Sequence, residues 1–331
     1  MKKLLLGLAA VVAMTWSAYA ADVKPAVVYD LGGKNDKSFN EAAYTGAERF
    51  KKESGIEYKD FEIQNDAQRE QAMRRFARDG YSPIVAIGFS QAAALEKVSK
   101  EFPDTKFAIV DMVVETPNVR SILFSEHEGS YLVGVMAAKA SKTGKVGFVG
   151  GMDIPLIRKF ACGYVQGVKS VNPDAEVFQN MTGTTGAAWN DPVKGAELAK
   201  SQFDRGADVV YHAAGGTGIG VLQAAADAGK LGIGVDSNQN YLQPGSVLTS
   251  MLKRVDNAVY ESFTAGADVE TGFNVMGLNN GGVGYAVDEN NAALITADMQ
   301  AALDDAEAKI ISGEIAVHNY NSDETCPAYD F

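Results

Sequence analysis

AVVYDLGGKNDKSFN, residues 26–40, decides the fold. AVVY is a short apolar run that ends on Asp30, and Gly32 and Gly33 then break the pattern. Ser38-Phe39-Asn40-Glu41 has the S-x-x-E spacing of a capping box. In such a box the two side chains satisfy free N–H groups of a first helical turn, so a helix is predicted from residue 39. The unit is strand, glycine turn, helix. In an open α/β sheet, ligands bind beyond the carboxyl ends of the strands, beside helix N-termini. Asp30, Phe39 and Asn40 would then turn a carboxylate, a ring and a carboxamide toward one cleft. The plainer alternative makes Phe39 a core staple and Asp30 a turn residue.

Downstream, the same alternation repeats. Strands are predicted at 58–64, 83–90, 106–111 and 119–124, and helices at 39–53, 67–78, 91–100 and 129–141. KVGFVGG (145–151) starts a second round, with strands at 175–182, 207–216, 231–236 and 246–253. Helices at about 155–170, 191–205, 218–228 and 254–265 separate them. A strand near 275–278, a glycine-rich stretch at 279–284 and a long helix at 292–312 complete the chain. Apolar strands alternating with helices predict parallel sheets covered on both faces. Strand ends fall on Asp30, Gly88 and Asp111 in the first round and on Gly150, Gly215 and Asp236 in the second. Phe89 follows Gly88. Two similar doubly wound lobes, strand ends facing across a cleft, account for this echo.

The chain opens with Lys2 and Lys3, an apolar run from Leu4 to Met14, and Ala18-Tyr19-Ala20. These are the parts of a secretory signal peptide, residues 1–20, cleaved after Ala20. No cysteine precedes Cys162, so the expected product is periplasmic, secreted and not lipid-anchored. A formal charge of −12 disfavours nucleic acid and anionic membrane surfaces. Cys162 and Cys326 are the only cysteines. An oxidising compartment allows them to pair, but their distance cannot be read from sequence.

Several blocks resemble the basic membrane protein family of substrate-binding proteins, which includes bacterial purine-nucleoside receptors. They are NDKSFNEAAYTG (35–46), KFAIVD (106–111), EGSYLVGVMAA (128–138), KVGFVGG (145–151), AGGTGIGV (214–221), IGVDSNQ (233–239) and VLTSMLKRVD (247–256). The resemblance implies a type I periplasmic binding protein, an α/β fold of two doubly wound parallel-sheet lobes joined by a three-segment hinge. Its crossings would fall near 124–128, 250–254 and 285–289. Residues 21–125 plus 254–287 would form the first lobe, and 126–253 plus 288–331 the second. It implies a monomer that delivers a purine nucleoside such as adenosine, guanosine or inosine to an ABC permease and ATPase, with no cofactor. Phe39 and Tyr211 would stack on the base. Asp30, Asn40 and Asp111 would hydrogen-bond from the first lobe, with Phe89 beside them. Asp236 and Lys253 would hold the ribose, and Gly215 would let its backbone approach the ligand. The same fold binding a sugar, a free base or a flavin-like ring, or serving as a periplasmic sensor, is the alternative.

Enzyme readings find little support. Gly216, Gly218 and Gly220 give G-x-G-x-G where a dinucleotide site needs G-x-G-x-x-G. His127, His212 and His318 are scattered and suggest no metal site. Lys253 has the chemistry of a Schiff-base lysine, but a charged lysine bonding a sugar fits better. No acid or metal-bound water is in evidence for cleaving a nucleoside. Asp36 reads as a helix-start charge, and Trp189 as a staple before the helix that follows.

Overall fold

The computed structural model describes residues 23–329; the expected signal peptide lies outside them. The chain runs β1 (Ala26–Tyr29), α1 (Phe39–Ser54), β2 (Lys59–Glu62), α2 (Ala67–Arg78), β3 (Ile84–Ala86), α3 (Ala92–Glu101), β4 (Phe107–Val110) and β5 (Val119–Phe124). Then come α4 (Glu126–Ala140), β6 (Lys145–Met152), α5 (Pro155–Val171), β7 (Glu176–Gly183), α6 (Pro192–Asp204), β8 (Val209–Ala213) and α7 (Thr217–Asp227). The last elements are β9 (Leu231–Asp236), β10 (Val247–Lys253), α8 (Val255–Ala265), β11 (Gly272–Met276), β12 (Val283–Tyr285) and α9 (Ala297–Ser312). Two six-stranded sheets result, ordered β11-β5-β4-β3-β1-β2 and β12-β10-β9-β8-β6-β7. Every pairing between these strands is parallel except β10 with β12. The fold is the expected pair of doubly wound α/β lobes.

Strand period two splits each core. Along β1, Val27 and Tyr29 join Ala43, Ala47 and Phe50 of α1 on one face. Ala26 and Val28 join Met73 and Phe76 of α2 and Leu95 and Val98 of α3 on the other. Both faces are dry, which is why the strands read as continuous apolar runs.

Three crossings join the sheets. After β5 the chain enters α4, which packs on α5 and α9; after β10 it enters α8, which packs on α1. The third lies between Met276 and Val283, earlier than the expected 285–289. Val283–Tyr285 pairs with Met251–Lys253 and so belongs to the second sheet. The expected first-lobe segment 254–287 therefore carries a strand of the second sheet at its end. Three residues inside a glycine-rich stretch show no period, so the strand was hidden. Cys162 of α5 is disulfide-bonded to Cys326, which straps the C-terminal tail onto the second lobe.

Candidate functional site

Helix α1 begins at Phe39, as its sequence predicts, but not through the expected capping box. Ser38 makes no capping bond. Instead the Asp36 carboxylate accepts from the backbone N–H groups of Ser38 at 2.9 Å, Asn40 at 3.0 Å and Glu41 at 3.0 Å. The Ser38 hydroxyl is drawn across the cleft, donating to Asp236 Oδ2 at 2.6 Å. Asn40 Oδ1 accepts from the Asp30 N–H at 2.9 Å, and Asn40 Nδ2 donates to Asp36 at 3.1 Å. The loop is thus tied back on its own strand, and Phe39 projects from it.

Between the lobes lies a cavity lined by residues of both. The first lobe contributes Asp30, Leu31, Asp36, Phe39, Asn40, Gly88, Phe89 and Asp111. The second contributes Leu156, Ile157, Phe160, Trp189, Ala213, Ala214, Gly215, Val235 and Asp236, and Lys253 stands at the hinge. Every expected site residue except Tyr211 lines this cavity. Gly88 is needed for a steric reason: its φ is +103°, and a Cβ there would overlap the Asp30 carboxylate.

Tyr211 is a correction. It is fully buried in mid-strand, packed against Phe148 and Tyr164, with its hydroxyl 3.3 Å from Ser130 Oγ. Tyr211 shares a face with Ala213 but stands two residues deeper in β8, so it stays in the core and only Ala213 to Gly215, at and just past the strand's end, reach the cleft. The second-lobe rings at the cavity are Trp189 and Phe160. The sequence suggests a staple at Trp189; the structure puts its indole in the cavity lining. The signal that would have found it is Gly151 at the end of β6, where a Cβ would overlap the indole.

At the cavity floor Lys253 Nζ lies 2.7 Å from Asp111 Oδ2 and 3.0 Å from Glu126 Oε1. Lys159 Nζ sits 2.6 Å from Glu126 Oε2 and donates to the Phe124 carbonyl at 2.6 Å. Lys253 Nζ also lies 5.1 Å from the centre of the Phe39 ring. Burial pulls the Lys253 pKa down, but Asp111, Glu126 and Asp236 outweigh it and hold the ammonium above the ordinary lysine value. A protonated amine is no nucleophile, so Schiff-base chemistry does not fit. Burial opposes ionisation of Glu126, yet Lys159 and Lys253 hold it down at about 2. Burial raises Asp111 despite Lys253, and Asp111 Oδ1 has no hydrogen-bond partner. Burial pushes Asp236 up to about 7 against the pull of Lys253 and the Ser38 hydroxyl. Sequence pattern does not single out Glu126, which opens α4, or Lys159, which lies inside α5, because their pairing joins elements distant in sequence.

Residues 23–321 match the family described as Bmp, ABC transporter substrate-binding protein PnrA-like. The ABC transporter nucleoside-binding protein BmpA of Lactococcus lactis subsp. cremoris is 35% identical, with 89% of this chain and 89% of that protein covered. A solved structure of an ABC transporter system solute-binding protein from Aeropyrum pernix K1 aligns with a TM-score of 0.80 at 31% identity, covering 89% of this chain and 93% of that one. An uncharacterized lipoprotein of Pyrococcus furiosus is 36% identical over 80% of this chain and 70% of its own, and two further Pyrococcus relatives are also described as lipoproteins. These relatives overturn the expectation of a free protein that is not lipid-anchored. Its ground was a leader without cysteine, and that leader lies outside the described residues. The work of such proteins is to hold a small molecule for a membrane transporter, not to catalyse, and this chain belongs to the PnrA-like family of ABC transporter substrate-binding proteins.

Proposed function

We propose that the cleft binds a purine nucleoside. The observation that carries this is the pairing of flat rings from both lobes, Phe39 and Trp189, with a hinge lysine set between carboxylates. A heterocycle stacked between such rings gains roughly 0.5–1.5 kcal/mol per ring pair beyond area burial. Asp30 and Asn40 would meet the base edge, with Phe89 beside them. Asp111, with its unpartnered Oδ1, Asp236 and Lys253 take the ribose hydroxyls. Gly215, at φ +56°, brings backbone close without a side chain. The relative named as nucleoside-binding supports the same reading. The lining carries four carboxyl groups, Asp30, Asp36, Asp111 and Asp236, and one ammonium, a set better matched to hydroxyls than to a phosphate.

Refolded, ligand-free protein tests this in a thermal-shift screen of nucleosides, free bases, pentoses and flavins, followed by calorimetry. Inosine, adenosine or guanosine binds, and AMP does not. Phe39→Ala, Trp189→Ala and Asp236→Ala each weaken binding about tenfold or more, the size of one lost stacking or charged hydrogen-bond partner. Unchanged affinity in all three variants, or a pentose binding as tightly as its nucleoside, overturns the assignment.

A further inference from the structure

Beside the cavity, the first lobe meets the second through polar contacts. The backbone carbonyls of Lys37 and Ser38 face the second lobe, Lys37 standing at φ +63°. Gln239 Nε2 donates to the Lys37 carbonyl at 2.9 Å, and Ser237 Oγ donates to the Ser38 carbonyl at 2.7 Å. Ser38 returns the contact by donating to Asp236. Neither Gln239 nor Ser237 lines the cavity.

Gln239 is fully buried and held from behind. Its Oε1 accepts from the Val235 N–H at 2.9 Å, and its own backbone N–H donates to Ser250 Oγ at 2.9 Å. His212 Nε2 lies 2.9 Å from the same Oε1. An amide oxygen only accepts, so His212 carries its proton on Nε2 and leaves Nδ1 bare, and Nδ1 is indeed without a partner. Gly218 leaves the room that this imidazole fills. The amide is thereby fixed with its NH₂ toward the other lobe.

We infer that Gln239, oriented by His212, and Ser237 are positioning residues that latch the closed cleft and set how long the ligand is retained. The inference rests on the reading of the cavity as a ligand site between moving lobes. Hinge opening would break both bonds while leaving each lobe's own bonding intact. The latch therefore acts after the ligand has entered, on dissociation and not on association. Because it bonds only backbone carbonyls of the first lobe, it does not depend on the ligand's identity.

Stopped-flow kinetics with inosine test this on the full refolded chain. Ser237→Ala, which removes one hydroxyl and no bond within its own lobe, should raise the dissociation rate about fivefold, the size of one net hydrogen bond. Gln239→Leu should raise it about tenfold. Association rates and the melting temperature of ligand-free Ser237→Ala should match the parent. A Ser237→Ala variant with the parental dissociation rate, or with slowed association, overturns the latch. If Gln239→Leu misfolds, Ser237→Ala still decides. A parent that fails to bind inosine counts against the nucleoside reading alone, and the rates are then measured with whichever compound raised the parent's melting temperature.

Discussion

Asp111 and Asp236 occupy matching places, one just past β4 and one at the end of β9, with φ of +71° and +63°. Non-glycine residues seldom adopt this left-handed turn, and Asp is among the few that tolerate it. The turn swings each carboxylate from the strand line toward the cavity. The strand-end acids could be recognised in the sequence for this reason; the ring at 211 could not, since it stands two residues inside the strand end and is packed below the cleft. The Asp236 carboxyl, pushed by burial up to about 7, makes stability depend on pH. Between about pH 4 and 7 the folded protein holds a proton there that an unfolded aspartate has released. Folding thus takes up a proton, and stability falls as pH rises through that window, by at most about 1.4 kcal/mol per pH unit. Asp236→Asn cannot ionise. In urea unfolding of ligand-free protein, it should gain stability relative to the parent from pH 5 to pH 8, while binding nucleoside more weakly. Equal pH slopes in the two proteins would show that Asp236 is ionised throughout.

Helices α4 and α5 show how an element is placed by what it lacks. A Cβ on Gly134 would overlap the Tyr164 carbonyl, one on Gly163 the His127 carbonyl, and one on Gly167 the Tyr131 carbonyl. The two backbones touch, and the contact sets where Phe160 and Lys159 emerge toward the cavity and the hinge. Gly167→Ala should destabilise the protein by about 1–3 kcal/mol through overpacking, despite alanine's better helix propensity. Chemical denaturation reads this directly, and a neutral or stabilising result would mean the helices can part. Most elements were legible because buried parallel strands and capped helices differ in length and period. Helix α1 ends at Gly55, φ +73°, where glycine predicts a left-handed cap. The misses have local causes. Asp36 outcompetes Ser38 as cap because the serine hydroxyl is engaged across the cleft. Helix α4 starts at Glu126 and not 129, because Glu126 is buried by two lysines that are distant in sequence.

Across the whole molecule, the lobes are held by the three crossings, the ionic chain from Asp111 through Lys253 and Glu126 to Lys159, and the rim bonds at residues 37–38. The cysteine pairing, left open by the sequence, closes a separation of 164 residues. Since Cys162 sits on α5, the strap steadies the helix that carries Phe160 and Lys159. Replacing both cysteines by alanine should cost about 2–5 kcal/mol, seen as an earlier urea midpoint for the ligand-free protein. An unchanged midpoint would mean that the tail packs on α5 without the bond. The crossings also bear on how the protein is made. The first sheet gains its edge strand only at Met276 and the second only at Tyr285, so a nascent chain that ends before Met276 contains neither sheet whole. Truncated products therefore expose unpaired strand edges, the surfaces on which aggregation starts. Neither lobe is one continuous stretch of chain, so both are completed only in the last quarter of synthesis.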